Sequence, residues 1–491
     1  MSGPFRNSTP FRSLVSLGFL PSALALCLVG TVGCVLRSPN PPLERTDLSQ
    51  GYYFHTHVRP SNSADTLFLL CFSGGGTRAA ALSYGVLEEL RKTTVQRADG
   101  PHRLLDEVDA ISSVSGGSIT AAAYALYGDD LFDRLEPAFL RRDIQRELLG
   151  RTLNPFRWGR LLSKGYGRSD MAADLYDEIL FHGATFADLS RQPGAYVVIN
   201  ATDIASGARF SFTQYQFDLL CTDLAPVRVS QAVAASSAVP GLLSPITINN
   251  YAGRCDSDLA VAIAAAAAPD ARDVASRARY HFLEMASYLD ATNHPYVHLV
   301  DGGVSDNLGI RAVLDGIYAV ETSAPARKRF NLESVRRIAI VVVNAHSQPD
   351  TGWARSEHGP GTLALAVAGA TIPMDRYSYE TIELLKEQIE RWKERQHRDR
   401  TQRGASPNGG AAPSAEVEFY PVVVSFADLK DPEERHFFLN QPTSFALPGN
   451  AVDRLREVGG QLLRESRTFG DFLRDLGTPA SAAPASPPGR Q

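Results

Sequence analysis

The chain has 491 residues, 44% of them hydrophobic, enough to bury a large core. Its net charge is −5 and no Lys/Arg cluster is dense enough for a nucleic-acid footprint, which argues against a nucleic-acid partner. No His/Cys/Asp/Glu group shows metal-ligand spacing, so neither a metal nor another cofactor is expected.

Arg6 and Arg12 precede an apolar stretch from Leu14 to Leu36, with no acidic residue before Glu44. This is the pattern of an export signal. The stretch runs into Thr31-Val32-Gly33-Cys34, which resembles a bacterial lipobox with Thr31 where Leu is usual. In such signals small residues precede a cysteine that is lipidated and becomes the mature N-terminus. The stretch is also long enough to span a bilayer, so an uncleaved anchor or plain secretion are the alternatives. We expect residues 1–33 to be a lipoprotein signal peptide, Cys34 to carry lipid, and the body to lie in the cell envelope. Residues 34–64 read as a membrane tether, because Ser38 to Asn62 is rich in Pro, Ser and Asn.

The folded domain is expected over residues 65–477. Leu67 to Phe72 is a continuous apolar run ending in glycine, as in a strand buried on both faces. Ala80, Val86, Leu87 and Leu90 then recur at helical spacing. Val108 to Ile111 is a second strand, followed from Ser118 to Leu126 by an alanine-rich helix. Tyr196–Asn200 and Ile338–Asn344 repeat the buried-strand pattern. Strands alternating with helices predict an α/β fold with a mostly parallel or mixed sheet covered on both sides. Cys71 sits in a buried strand, and an oxidising compartment would let Cys221 and Cys255 pair. Ala260 to Ala286 reads as a helical insertion, and Tyr379 to Arg395 as an amphipathic helix with a core-facing stripe of Ile382, Leu385, Ile389 and Trp392. Gln396 to Ser414 reads as a flexible loop and residues 478–491 as a disordered tail.

Three glycine-rich breaks carry the chemistry. Gly74-Gly75-Gly76-Thr77-Arg78 sits between a strand and a helix, where bare amides and the helix dipole suit an oxyanion hole. Arg78 reads as a loop anchor or a source of positive potential. Gly74, Gly76 and Ala79 also spell G-x-G-x-x-A, but a dinucleotide site needs an acidic residue about 20 positions on, and position 94 is Thr. Ser115 lies at a strand-to-helix turn between Ser113 and Gly116-Gly117, small residues that a nucleophile elbow requires; Ser113 replaces the usual first glycine. A serine hydroxyl needs a base to take its proton. Asp301 ends the run Val297–Val300 and is followed by Gly302-Gly303, though Asp-Gly also makes ordinary turns. Of the 11 histidines, His294, His298 and His346 remain open as triad members.

Together the glycine loop, the serine elbow and the Asp-Gly-Gly resemble the patatin-like phospholipases, a family that uses a Ser–Asp dyad without histidine. Ala234-Ala235-Ser236-Ser237-Ala238-Val239-Pro240 with Pro245, and Asp301-Gly302-Gly303-Val304-Ser305-Asp306-Asn307, resemble further family segments. The resemblance covers Leu67 to Asn344. It implies a patatin-like three-layer fold, Ser115 as nucleophile, Asp301 as base and the amides around Gly75 and Gly76 as oxyanion donors. The expected activity is hydrolysis of a phospholipid or other acyl lipid of a membrane, with acyl transfer to a lipid alcohol as the nearest variant. The competing class is a non-catalytic envelope lipoprotein that binds lipid or a protein partner on a hydrolase fold.

Overall fold

The computed structural model describes residues 40–57, 62–97, 100–161, 163, 165–268, 276–322, 328, 330, 332–348, 352–404 and 417–477. The expected signal peptide, Cys34 and the expected tail at 478–491 lie outside them. Strand β1 (Thr66–Phe72) is buried along its whole length. Phe68, Leu70 and Phe72 join one hydrophobic cluster and Leu67, Leu69 and Cys71 the other, so the period of two puts a core on each face. Around it follow α1 (Gly76–Lys92), a small hairpin of β2 (Thr94–Arg97) and β3 (Gly100–Arg103), then β4 (Val108–Val114) and α2 (Gly116–Tyr127). The middle of the chain adds β5 (Tyr196–Asp203), β6 (Arg209–Phe212), α3 (Val229–Ser236), β7 (Ile246–Asn249), α4 (Asp258–Ala267), α5 (Ser276–Ser287) and β8 (Tyr296–Asp301). The last part supplies α6 (Ile310–Thr322), β9 (Arg337–Asn344), α7 (Thr362–Gly404), β10 (Glu418–Ser425), α8 (Gly449–Glu465) and α9 (Arg467–Leu476).

Eight strands form one sheet in the order β10-β9-β1-β4-β5-β8-β7, with β6 also on β5. The run from β10 to β5 is parallel, whereas β6 and β8 meet β5 antiparallel and β7 meets β8 antiparallel. Residues of α1, α2 and α8 cover one face, and those of α6 and α7 the other. This is the expected three-layer α/β fold with a mostly parallel central sheet. Arg456 of α8 forks onto both carboxylate oxygens of Glu88 in α1, tying the last part of the chain to the first.

Two expectations change. The segment expected to be a tether packs on the body from Asn40 to His57: Tyr52 and Tyr53 are buried. The Tyr52 hydroxyl donates to the Val197 carbonyl and accepts from the Val197 amide, and Tyr53 Oη donates to Asp218 at 2.7 Å. Within this Pro/Ser/Asn-rich stretch each of the two tyrosines brings a large apolar body with a hydroxyl that finds a partner. Second, α7 continues to Gly404, so helix occupies the start of the expected loop. Its charged run is rich in helix formers, including an Arg398–Glu394 pair one turn apart. The region after Asn344 contributes strand β10 and the helices α7, α8 and α9 to the body.

Other expectations appear in place. Leu385, Ile389 and Trp392 of α7 are buried, with Trp392 stacked on Phe419. Cys221 and Cys255 form a disulfide with Cα atoms 5.6 Å apart, and Cys71 is a buried free thiol. Among the described residues no helix is long and apolar enough to cross a membrane.

Tyr52 tests the packed N-terminal strap. Tyr52→Ala should lower unfolding free energy by about 3 kcal/mol, read from the urea midpoint, because it leaves a cavity in the core. A tether would tolerate the same change without effect.

Candidate active site

Strand register brings Ser115 and Asp301 together. Val114, the last residue of β4, lies beside Asn200 of β5. One residue further along β5, Ala201 lies opposite Asp301, the last residue of β8. The residue after Val114 and the residue opposite Ala201 therefore meet over the same point of β5. Ser115 Oγ donates to Asp301 Oδ2 at 2.9 Å, and both residues are buried.

Ser115 stands at the N-terminus of α2 with φ 51° and ψ −121°, a backbone shape that non-glycine residues avoid. The turn is possible because of its neighbours. A Cβ at Gly116 would collide with the Gly76 carbonyl oxygen. The serine at position 113 fits as well: it is buried and its hydroxyl donates to the Val198 carbonyl of β5 at 3.1 Å. The Ser115 amide donates to Ser236 Oγ at 2.8 Å, which in turn donates to the Asn200 carbonyl at 2.6 Å. Ser236, at the end of α3, thus clamps the elbow to β5.

The aspartate loop is held from the same direction. The Asp301 amide donates to the Ala238 carbonyl and the Gly302 amide to that of Ser236. Thr202 Oγ1 donates to the Asp301 carbonyl at 2.9 Å. The carboxylate accepts from the Gly303 amide at 2.8 Å and from Ser115. Burial pushes the Asp301 carboxyl up to about 6, and the two hydrogen bonds offset that only in part.

The glycine loop lies against the serine. A Cβ on Gly74 would stand 3.3 Å from Ser115 Cβ and collide with the Asn307 side chain. Of the five residues expected to form an oxyanion hole, three are engaged elsewhere. The Gly74 amide donates to the Asn307 carbonyl and the Thr77 amide to that of Ser444, both at 2.9 Å. Arg78 is buried and donates to the Ala345 and Gln441 carbonyls and to Thr443 Oγ1, so it anchors the loop. Burial lowers its guanidinium to about 10, leaving it charged at neutral pH. The Gly75 and Gly76 amides donate to no carbonyl of the described residues. Gly75 has φ 140° and Gly76 φ 60°, which a side chain would strain.

The candidate histidines face other partners. His294 lies 3.4 Å from Asp203, His298 bonds Thr247 and His346 pairs with Asp375. Sequence reasoning gave no role to Ser236, Asn200, Asn307 or the Gln441–Ser444 segment. Only Ser236 and Asn307 sat in a motif that could have flagged them. No group of acidic, His or Cys side chains among the described residues could hold a metal ion.

A mostly parallel sheet with a serine elbow, a buried aspartate and a glycine loop at its strand ends defines a patatin-like α/β fold. The model of the Patatin-like phospholipase family matches residues 70–314, and through this domain the chain belongs to that family of lipid-hydrolysing esterases. The chain is similar to the solved structure of human GIVD cytosolic phospholipase A2, at 14% identity over 90% of this chain and 68% of that one, with a TM-score of 0.39. It is similar also to VipD from Legionella pneumophila, at 11% identity over 88% and 72% of the two chains, with a TM-score of 0.24. A comparison with curated proteins finds no match.

Three variants measure what the site costs the fold. Ser115→Gly should be more stable than Ser115→Ala by about 1 kcal/mol, since glycine relieves the strained φ and forfeits part of the gain in chain entropy. For Asp301 the folded-state pKa is raised, so its favourable contribution is complete below about pH 4 and lost as pH rises through about 6. Asp301→Asn carries no such loss. Its melting temperature should exceed the wild type's at pH 8, by up to about 3 kcal/mol in stability, and the gap should close near pH 4.

Proposed function

We propose that the chain is a lipid acyl hydrolase working through a Ser115–Asp301 dyad. The observation that carries this reading is the 2.9 Å bond from Ser115 Oγ to Asp301 Oδ2, both buried at the ends of β-strands, with the candidate histidines paired elsewhere. Asp301 takes the Ser115 proton as Oγ attacks the ester carbonyl. The oxyanion forms beside the Gly75 and Gly76 amides, which need no reorganisation to meet it. As the tetrahedral intermediate collapses, Asp301 returns the proton to the leaving alcohol. Water then repeats the sequence on the acyl-serine, with Asp301 as base and Ser115 as leaving group. A carboxylate of ordinary pKa is a weak base; burial brings Asp301 closer to the range where general-base catalysis is effective. The substrate is a phospholipid or other acyl ester of a membrane, and lipid on Cys34 holds the enzyme in the cell envelope beside it.

The full chain in detergent should react with a fluorophosphonate probe, with the label mapping to Ser115. Label on another residue would sink the assignment. Ser115→Ala and Asp301→Asn should each lower hydrolysis of a short-chain aryl ester by roughly 10²–10⁴. Because Asp301 must be ionised to accept a proton, kcat/KM should rise with pH and level off above about 6, falling tenfold per unit below it. A profile flat from pH 5 to 8 would remove Asp301 as the base.

A further inference from the structure

Between β4 and β5 the chain makes an excursion whose charge and polarity differ from the rest. Eight Arg or Lys and only two acidic residues lie between positions 141 and 168, in a chain of net charge −5. The helix Ile144–Leu153 buries Ile144 and Leu148 against the body, one turn apart. The adjoining stripe, Leu149 and Leu153, is 57% and 64% exposed, and the turn that follows presents Phe156 at 95% and Trp158 at 50%. Four large apolar side chains in water within ten residues find no compensation in the fold itself.

Some of the cations beside them are unspent. Arg141, Arg142, Arg151 and Arg160 are paired, with Glu136 and Asp453, Glu147, Glu178 and Asp174 in turn. Among the described residues no carboxylate pairs with Arg146, Arg157 or Arg168; Arg168 donates only to the Gly241 carbonyl. A short helical arm with an apolar edge, aromatic tips and interleaved arginines has the composition of an element lying in the headgroup region of an anionic bilayer.

Its place in the fold adds the second observation. At one foot, Ser444 Oγ donates to Gln145, while the Ser444 carbonyl takes the Thr77 amide of the glycine loop. At the other foot, Arg168 and Ser169 bond Gly241 and Ser244, on the loop whose Ala238 carbonyl takes the Asp301 amide. The two ends of the arm are thus fastened to the supports on either side of Ser115. The N-terminal strap points the same way. Asn40 bonds Asn249, which pairs with Tyr296 at the start of β8. As β8 runs antiparallel to β5, that end lies beyond the C-terminal ends of β4 and β5, the side on which Ser115 sits. Six positions separate Cys34 from Asn40, a reach of at most about 20 Å.

We propose that residues 144–161 dock on an anionic phospholipid surface and set the mouth of the Ser115 site against it. This rests on the lipid-hydrolase reading for its purpose, but binding itself is testable without turnover. The full chain carrying Ser115→Ala is reconstituted into vesicles of phosphatidylcholine alone or mixed with phosphatidylglycerol, and trypsin cleavage after Arg157 and Arg160 is followed by mass spectrometry. Cleavage should slow roughly tenfold on the anionic vesicles, hardly at all on neutral ones, and the protection should fade with added salt. Phe156→Ser with Trp158→Ser should abolish it. In the active protein the same pair should cut hydrolysis of anionic vesicles roughly tenfold while hydrolysis of a soluble ester is unchanged. Equal protection on both vesicle types, none on either, or full protection in the double variant would overturn the proposal. Protection without lipid that grows with protein concentration would overturn it too, assigning the face to a second copy of the chain. Absence of soluble-ester hydrolysis, by contrast, would count against the enzymatic reading and leave the docking result standing.

Discussion

Strand β5 is the ruler on which the site is built. Asn200 and Ala201 are adjacent, yet one is partnered by the end of β4 and the other by the end of β8, arriving from opposite directions. A one-residue slip on either side would turn every side chain of that strand to the other face and part Ser115 from Asp301. The register is protected by what the strand buries: Val197, Ile199 and Ala201 lie in the core, and the Asn200 side chain bonds Ser112 and the Ser113 carbonyl. The Ser115–Asp301 contact is therefore a consequence of sheet packing before it is a matter of loops.

The loops then hold what the sheet positions. Ser236 joins the Ser115 amide to the Asn200 carbonyl, and its own carbonyl takes the Gly302 amide, so one residue of α3 touches both the serine elbow and the aspartate loop. On the other side, the glycine loop is pinned by Arg78 and Thr77 to the segment Gln441–Ser444, more than 360 residues away in sequence. Engaging those donors leaves the Gly75 and Gly76 amides pointing at no carbonyl. Dryness serves the same end. The burial that raises the Asp301 carboxyl makes its ionised form costly to the fold and, in the proposed mechanism, a better base.

Electrostatics divides the surface. A chain that is acidic overall concentrates its arginines in the excursion between β4 and β5, where they alternate with exposed Leu, Phe and Trp. The disulfide at Cys221–Cys255 lies beside the strap from Asn40, whose Leu43 amide donates to the Cys221 carbonyl and Thr46 amide to that of Asp256. A strap bound this tightly transmits the position of whatever precedes it to the body. A loose tether would not.

Local features were legible in the sequence because their causes are local. The buried strands β1, β5 and β9 contain continuous apolar runs, and the elbow at Ser115 and the positive-φ turn at Gly75-Gly76 need small residues at fixed offsets. The core stripe of α7 has helical period. What stayed hidden depends on partners distant in sequence. Tyr52 and Tyr53 looked like part of a linker until β5 and Asp218 met their hydroxyls. Thr77 looked available to the oxyanion hole until Ser444 claimed its amide, and the partners on which Arg78 anchors the loop, Ala345, Gln441 and Thr443, lie far off in sequence. The sequence by itself determined the alternation of strand and helix and the residue types at the site. Tertiary structure alone decided which donors remain unspent and that Asp301 reaches Ser115, because hydrogen bonds are competed for in space and strand register is set by the whole core.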